Sequence, residues 1–376
     1  MPTDPEKRPS QPTSFEDMPL HPTIRAGVRE LGYTEPTPIQ SRTIPDAVLG
    51  RDLIGTAQTG TGKTAAFLLP ILERLLDHPP GRILALVLTP TRELALQANE
   101  FLDKLGRHTR LHGAAVYGGV GMGEQERALR GGAEIVVATP GRLLDHMSRG
   151  YVNFTNLEIL VLDEADRMLD MGFLPDVRRI LSRLPRRRQT MLFSATMPPE
   201  VVRLARDFLN EPKTVQVDST AAAAVGVSHL ALPVPTHLKT DLLVELLTDQ
   251  TMTSVLVFTR TKHRADRLAR QLTLKGVNAT VIHGDRSQSQ RVKALDGFKT
   301  GHHRVLVATD IAARGIDVEG VSHVVNYDVP GEPDVYIHRV GRTARAQRLG
   351  DAFALVGREV EVDMHRIEQL LGVEIR

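Results

Sequence analysis

The sequence predicts an α/β protein of two tandem parallel-sheet domains joined by a short linker, with a phosphate-binding loop in the first domain alone. Three observations carry this. Apolar β-type runs alternate with helical stretches along the whole chain, the signature of βαβ units. Two pairs of strand-end motifs recur at one shared offset, and the glycine-rich loop has no counterpart at that offset.

At 376 residues the chain is too long for one ordinary core, so two domains is the natural division. LALVLTPTREL (84–94) and SVLVFTRTKHR (254–264) each read as a buried strand, a Thr-x-Thr and a basic helix start. IVVATPGR (135–142) and VLVATDIAAR (305–314) form a second matching pair. Thr259 less Thr89 and Thr309 less Thr139 both give 170. A chance recurrence of common strand endings is the bland explanation, but two pairs at one offset favour two copies of one domain. The small-residue stretch TAAAAVGVSH (220–229) marks the joint. The expected organisation is a flexible tail over 1–14, a first domain over 15–218, a linker over 219–227 and a second domain over 228–376.

Composition narrows the class. With 41% apolar and 24% charged residues the chain reads as globular, and no run approaches the roughly 18 apolar residues of a membrane span. The opening MPTDPEKRPSQPTS has no apolar stretch and does not read as a secretory signal. The absence of cysteine excludes disulfides and thiolate metal sites and fits a reducing cytoplasm. Net charge is only +2, so a polyanion would be held by local basic patches and not by the overall field. With no Trp, 10 Phe and 5 Tyr, backbone contacts are a better expectation than base stacking.

In the first copy, Asp52-Leu53-Ile54 leads into Ala57, Gln58, Thr59, Gly60, Thr61, Gly62, Lys63 and Thr64, then into the helix AAFLLPILERLL. Gly60 and Gly62 let backbone N–H groups turn toward phosphate oxygens at a helix N-terminus. Lys63 would reach the β- and γ-phosphates of ATP and Thr64 would hold Mg²⁺. The strict pattern begins with Gly where this chain has Ala57, and a glycine-rich turn capping a core helix is the alternative. EILVLDEAD (158–166) supplies the partner motif: Asp163 to meet Mg²⁺, and Glu164 to orient or deprotonate the attacking water. Taken alone, two adjacent acids after a strand are also a common surface feature.

Shifted by 170, the loop falls on VSHLALPV (227–234), with neither glycine nor lysine, so one ATP per chain is expected. The second copy offers YIHRVGRTARA (336–346), with arginines at 339, 342 and 345. Read as a helix, this segment puts Arg342 and Arg345 on one face, where two guanidinium groups suit a γ-phosphate. A solvated basic helix is the other reading.

Taken in order, the stretches resemble the DEAD-box RNA helicases, most nearly the bacterial RhlE-like branch. They are GYTEPTPIQ (32–40), AQTGTGKT (57–64), PTRELALQ (90–97), Gly118-Gly119, TPGR (139–142), DEAD (163–166), SAT (194–196), VFTRTK (257–262), HGDRSQSQR (283–291), ATDIAARGID (308–317) and HRVGRTAR (338–345). The resemblance runs from Phe15 almost to the C-terminus and implies two RecA-like domains. It implies that Gln40 reads the adenine edge with Phe15 packed on the base, that Gly315 and Asp317 lie by the nucleotide with Asp317 on the ribose, and that His338 sits near the attacking water. Arg342 and Arg345 become arginine fingers, and Ser194 and Thr196 couple hydrolysis to RNA. For RNA it implies Thr91, Arg92, Gly119, Thr139 and Arg142 in one domain, with Arg291 and Thr309 in the other. These residue types suit phosphate and ribose oxygens of single strands and short duplexes, so binding would ignore sequence. Ala344 and Gln347 replace glycines usual in the last motif.

A DNA-translocating helicase and a GTPase are rival enzyme classes, although no NKxD-type guanine reader is present. An ATP-gated RNA clamp is the non-enzymatic rival. Little follows HRVGRTAR beyond a closing strand and a helix over 361–375 with Leu370 and Leu371 inward, so targeting is expected from partner proteins.

Overall fold

The computed structural model describes residues 12–58, 60–217, 227–310, 321–343, 350–372 and 375. The expected tail and linker fall largely outside these residues. The chain divides into two compact units, Met1–Asp218 and Ser219–Arg376.

The first unit opens with a 3-10 turn at Phe15–Asp17, α1 (Pro22–Glu30) and α2 (Pro38–Val48). Strands and helices then alternate: β1 (Leu53–Thr56), α3 (Lys63–Leu75), β2 (Ala85–Leu88), α4 (Arg92–Leu105), β3 (Gly113–Val116), α5 (Gly123–Arg130), β4 (Ile135–Ala138) and α6 (Pro140–Ser148). β5 (Ile159–Leu162), α7 (Ala165–Asp170), α8 (Leu174–Leu181), β6 (Gln189–Ser194), α9 (Pro199–Phe208) and β7 (Lys213–Gln216) complete it. Every pairing is parallel, in the order β3-β4-β2-β5-β6-β1-β7. Helices cover both faces, which is why ALVL, IVVA and ILVL are continuous apolar runs and not alternating ones. Val87, Val137 and Val161 face one apolar layer, while Leu86, Val136 and Leu160 face the other.

The second unit holds β8 (Val227–Pro233), α10 (Lys239–Leu246), β9 (Val255–Thr259), α11 (Lys262–Leu274), β10 (Ala279–Ile282), α12 (Gln288–Lys299), β11 (Val305–Thr309) and β12 (His323–Asn326). The helix Pro333–Val340, β13 (Gly350–Val356) and a closing helix Glu361–Leu371 follow. Its parallel sheet runs β10-β11-β9-β12-β13-β8. Strand for strand this is the order of the first sheet without β7, so the repeat seen at offset 170 extends to the whole topology. The duplication reaches single hydrogen bonds. Thr91 and Thr261 cap their helices in the same extended conformation, accepting from Leu94 N and Arg264 N, each at 3.3 Å. Thr89 Oγ1 donates to Thr91 O, and Thr259 Oγ1 donates to Thr261 O.

Two sequence expectations need correction. The helix bearing Arg339 ends at Val340, with Gly341 as its C-cap, so Arg342 lies beyond it, and residue 345 lies outside the described residues. The closing helix stops at Leu371 because Gly372 turns left-handed at φ 66°. Met364 and Ile367 are its buried residues and Leu371 packs against their cluster as expected, but Leu370 is 41% exposed. The three-residue spacing points that pair at the core, and the last turn rotates Leu370 outward.

Candidate functional site

In a parallel α/β sheet the loops at the carboxyl ends of the strands gather on one edge, where ligands bind. In the first unit the expected residues divide along that edge by strand. β1, β6 and β5 carry the phosphate loop, Ser194 and Asp163; the adjoining β2, β4 and β3 carry Thr91–Arg92, Thr139 and Gly119.

The phosphate loop is braced from below. Gly60 and Gly62 have φ of 84° and 88°, a region that costs other residues strain. Lys63, the first residue of α3, is buried and donates from Nζ to Ala57 O at 2.7 Å, folding the loop back on itself. Thr61 Oγ1 donates to Gln58 O at 2.7 Å. Thr37 Oγ1 donates to Thr61 O at 2.7 Å, and Gln40 Nε2 donates to Gly62 O at 3.0 Å. Gln40 Oε1 also accepts from Thr37 N, which leaves its amide one N–H and one lone pair for a base. Phe15 is buried against Tyr33 at a centroid distance of 6.2 Å, so most of its ring area is already covered. Thr64 is half-buried beside Lys63.

Asp163 and Glu164 follow β5. Both are buried, yet Asp163 Oδ1 has no hydrogen-bond partner. Burial and then the neighbouring Glu164 charge push the Asp163 carboxyl up to about 7. A buried oxygen with no donor beside a second acid fits a cation. Among the described residues there is no group of three or more metal-ligating side chains. Such an oxygen would suit Mg²⁺, which takes few protein ligands and keeps water and phosphate oxygens; Asp163 and Thr64 would be the protein contribution. Glu164 adopts φ 51° and ψ 54°, an uncommon left-handed conformation that turns its carboxylate back toward Arg167. Arg167 Nη1 donates to Glu164 Oε2 at 2.6 Å, and both side chains are buried.

The third acid of the motif has a separate task. Asp166 Oδ2 accepts from Thr196 N at 2.8 Å and Thr196 Oγ1 at 2.9 Å, and Asp166 N donates to Ser194 Oγ at 3.1 Å. Burial pushes the Asp166 carboxyl up, but the Thr196 N–H, the Lys63 charge and the Ser194 hydroxyl outweigh it, and it lies below its usual value. The loop after β6 is thereby tied to the strand that carries Asp163 and Glu164.

On the other half of the edge, Arg142 Nη1 and Nη2 donate to Val120 O at 3.1 and 3.0 Å, pinning the loop that contains Gly119 to the start of α6. Gly119 has φ 84°, and a Cβ there would lie 1.9 Å from Arg92 Nη1. Arg92, Gly119 and Arg142 thus converge on one loop. Thr139 caps α6.

In the second unit Thr309 ends β11, Arg291 lies on α12 and His338 is in the last turn of Pro333–Val340; all three are half-buried, and Arg342 is buried. Arg339 has a structural role that the sequence does not reveal. Its Nε and Nη2 grip Asp310 Oδ1 and Oδ2 at 2.6 and 2.9 Å, and Nη1 donates to Asn326 Oδ1 and Asp328 O. Thr59, Gly315, Asp317 and Arg345 lie outside the described residues. Arg167, Asp166 and Arg339 went unassigned in the sequence because each acts on another protein group; only their position inside motifs hinted at it.

A DEAD/DEAH box helicase model matches residues 37–204, and a helicase conserved C-terminal domain model matches residues 238–347. The DEAD-box ATP-dependent RNA helicase CshA of Bacillus subtilis (strain 168) is 45% identical over 356 residues, covering 95% of this chain and 72% of that protein. CshA of Geobacillus kaustophilus is 44% identical over 357 residues, covering 95% of this chain and 76% of that protein. Among solved structures, S. cerevisiae Dbp5 bound to RNA and ADP BeF3 superposes with a TM-score of 0.87 at 32% identity, over 97% of this chain and 95% of that one. A DEAD box protein from the hyperthermophile Methanococcus jannaschii superposes with a TM-score of 0.56 at 37% identity, over 96% and 98%. Relatives this similar over nearly the whole chain, together with one family model on each unit, establish that the chain belongs to the DEAD-box ATP-dependent RNA helicases.

Proposed function

We propose that this enzyme hydrolyses ATP on its first unit under the control of RNA, and that ATP and RNA together drive closure of the two units, bending the bound strand and separating short duplexes locally. The observation that carries this reading is the Asp166 junction, where one carboxylate holds Ser194 and Thr196 of β6 and its loop against the Asp163–Glu164 strand end. The junction ties the loop after β6, to which the resemblance gives the coupling role, to the strand end that carries the hydrolytic acid. Lys63 and the loop amides bind the phosphates, and Gln40 and Phe15 select adenine. Mg²⁺, bound with the nucleotide by Thr64 and Asp163, would neutralise phosphate charge. Glu164, oriented by Arg167, positions the attacking water and takes its proton. Closure brings Arg342 and Arg345 to the γ-phosphate, with His338 beside the water. Gly315 and Asp317 complete the nucleotide contacts.

Thr91, Arg92, Gly119, Thr139, Arg142, Arg291 and Thr309 hold RNA by phosphate and ribose, so binding is insensitive to sequence and weakens with salt. The RhlE-like branch expected from the motifs stays part of the proposal, beside relatives that carry the CshA name. A cytoplasmic setting belongs to the same reading.

ATP turnover measured with no nucleic acid, with single-stranded RNA and with single-stranded DNA tests the coupling. Stimulation by RNA alone is expected; equal rates in all three would remove it. An RNA clamp would show slow release without strand separation, which a short fluorescent duplex distinguishes. Gly119→Ala pushes a methyl into Arg92 from a left-handed backbone, and RNA affinity is expected to fall about tenfold, near 1.4 kcal/mol, with ATP affinity unchanged. Unchanged RNA affinity would take Gly119 and Arg92 off the RNA path.

A further inference from the structure

The second sheet ends at β10, which among the described residues pairs with β11 alone. α11 and α12 cover opposite faces there. Leu268 and Leu272 of α11 pack with Val305 and Val307, whereas Phe298 of α12 packs with Leu306 and Ala308. A cavity of about 600 Å³ is lined by α11, β10 and α12 together, so it straddles the sheet edge. Asn278 O accepts from Val305 N at 3.1 Å. Alternation along a parallel ladder then turns the N–H and C=O groups of Ala279 and Val281 away from β11, toward this opening.

An open strand edge is a template for another strand. No proline breaks it over 279–282, and the Asp266–Arg286 ion pair joins α11 to the turn before α12 at the His283 end of the groove, with Ala279 and Val281 still lining the opening. Its flanks are basic: Arg270 on α11 and Lys293 on α12 line the groove, while Asp266, the one carboxylate among the described lining residues, is already held by His283 and Arg286. Leu274 stands 87% exposed at the rim, above a floor that includes Ala269 and Ala294. The floor of small side chains lies beside backbone N–H and C=O groups of Ala279 and Val281 that face outward and match the amides of another strand. It suits a peptide with alternating side chains.

We propose that β10 is a docking edge for an extended acidic and apolar segment of a partner protein. The segment adds a strand beside Ala279 and Val281, sets carboxylates against Arg270 and Lys293, and lays an apolar side chain on Leu274. The groove shares α12 with Arg291, which is assigned to RNA, but Arg291 is not one of its lining residues.

The test uses the full chain and three labelled probes: an eight-residue peptide alternating glutamate and valine, its lysine–valine counterpart, and oligouridylate. Fluorescence anisotropy reads binding, and amide hydrogen exchange at Ala279 and Val281 reads where it occurs. The glutamate–valine peptide is expected to bind and slow exchange at both amides at least tenfold. Arg270→Glu with Lys293→Glu weakens that binding at least tenfold, Arg270→Ala with Lys293→Ala less so, and RNA-stimulated ATP hydrolysis is unchanged in both. Protection of these amides by oligouridylate, or loss of RNA stimulation in either double variant, assigns the groove to RNA and overturns the proposal. Equal binding of the lysine peptide, or no peptide binding, overturns it as well.

Discussion

Glu164→Gln lowers RNA-stimulated ATP hydrolysis by about 10²–10⁴-fold, the range for loss of a positioned general base, while ATP and RNA still bind. The substitution keeps the side-chain shape and an oxygen that can accept from Arg167, so the buried hydrogen bond at 2.6 Å survives in neutral form. It removes the negative charge and the proton acceptor. Because Glu164 already holds a left-handed backbone, the change adds no backbone strain. In the proposed function ATP is held by Lys63, the loop amides and Gln40, so ATP affinity is expected to stay within about twofold. The variant therefore lingers in the ATP-bound state and releases RNA more slowly than the parent. Single-turnover hydrolysis with nucleotide binding measured in parallel separates the two effects. If hydrolysis and ATP affinity fell together, Glu164 would be a binding residue and the acid–base assignment would fail.

What could be read in the sequence follows from how local each feature is. The phosphate loop is legible because its glycines, its lysine and the helix after it are contiguous, and each residue type answers one requirement of phosphate geometry. The duplication is legible because parallel strands buried on both faces leave unbroken apolar runs, whose ends fall at Thr89, Thr139, Thr259 and Thr309. The identical strand order of the two sheets was implied by that repeat. Contacts made between distant motifs were hidden. Nothing in SAT or DEAD alone says that Asp166 binds Thr196 across two adjacent strands, or that the amide of Gln40 is half-used in bracing Gly62. The error at the arginine motif had a local cause: spacing alone was read as helix, although Gly341 at the C-cap interrupts it.

Arg339→Met separates two kinds of arginine in that motif and is expected to destabilise the second unit by about 3–5 kcal/mol, the cost of breaking a buried ion pair from one side. Arg339 is 3% exposed, and its guanidinium joins two stretches apart in sequence: Asp310 after β11, and Asn326 with the Asp328 carbonyl at the end of β12. Its Cζ also lies 4.9 Å from the centroid of the Phe258 ring in β9. Methionine fills much of the volume but leaves the Asp310 carboxylate and the Asn326 amide without their donor. Because the Asp310 side chain is 26% exposed and water can reach it, the lower end of the range is expected. In urea the unfolding transition of the second unit moves to lower concentration, while the first unit, and with it ATP binding, is retained. Arg342→Ala is expected to do the reverse: a folded protein that binds ATP and RNA but hydrolyses about 10³-fold more slowly or worse, as for loss of an arginine finger. Comparing the two by denaturation and by single-turnover hydrolysis decides the matter. A stable, inactive Arg339→Met protein would show that Arg339 faces the phosphate, and a stable, fully active one would show that the Asp310 pair contributes nothing to the unit it joins.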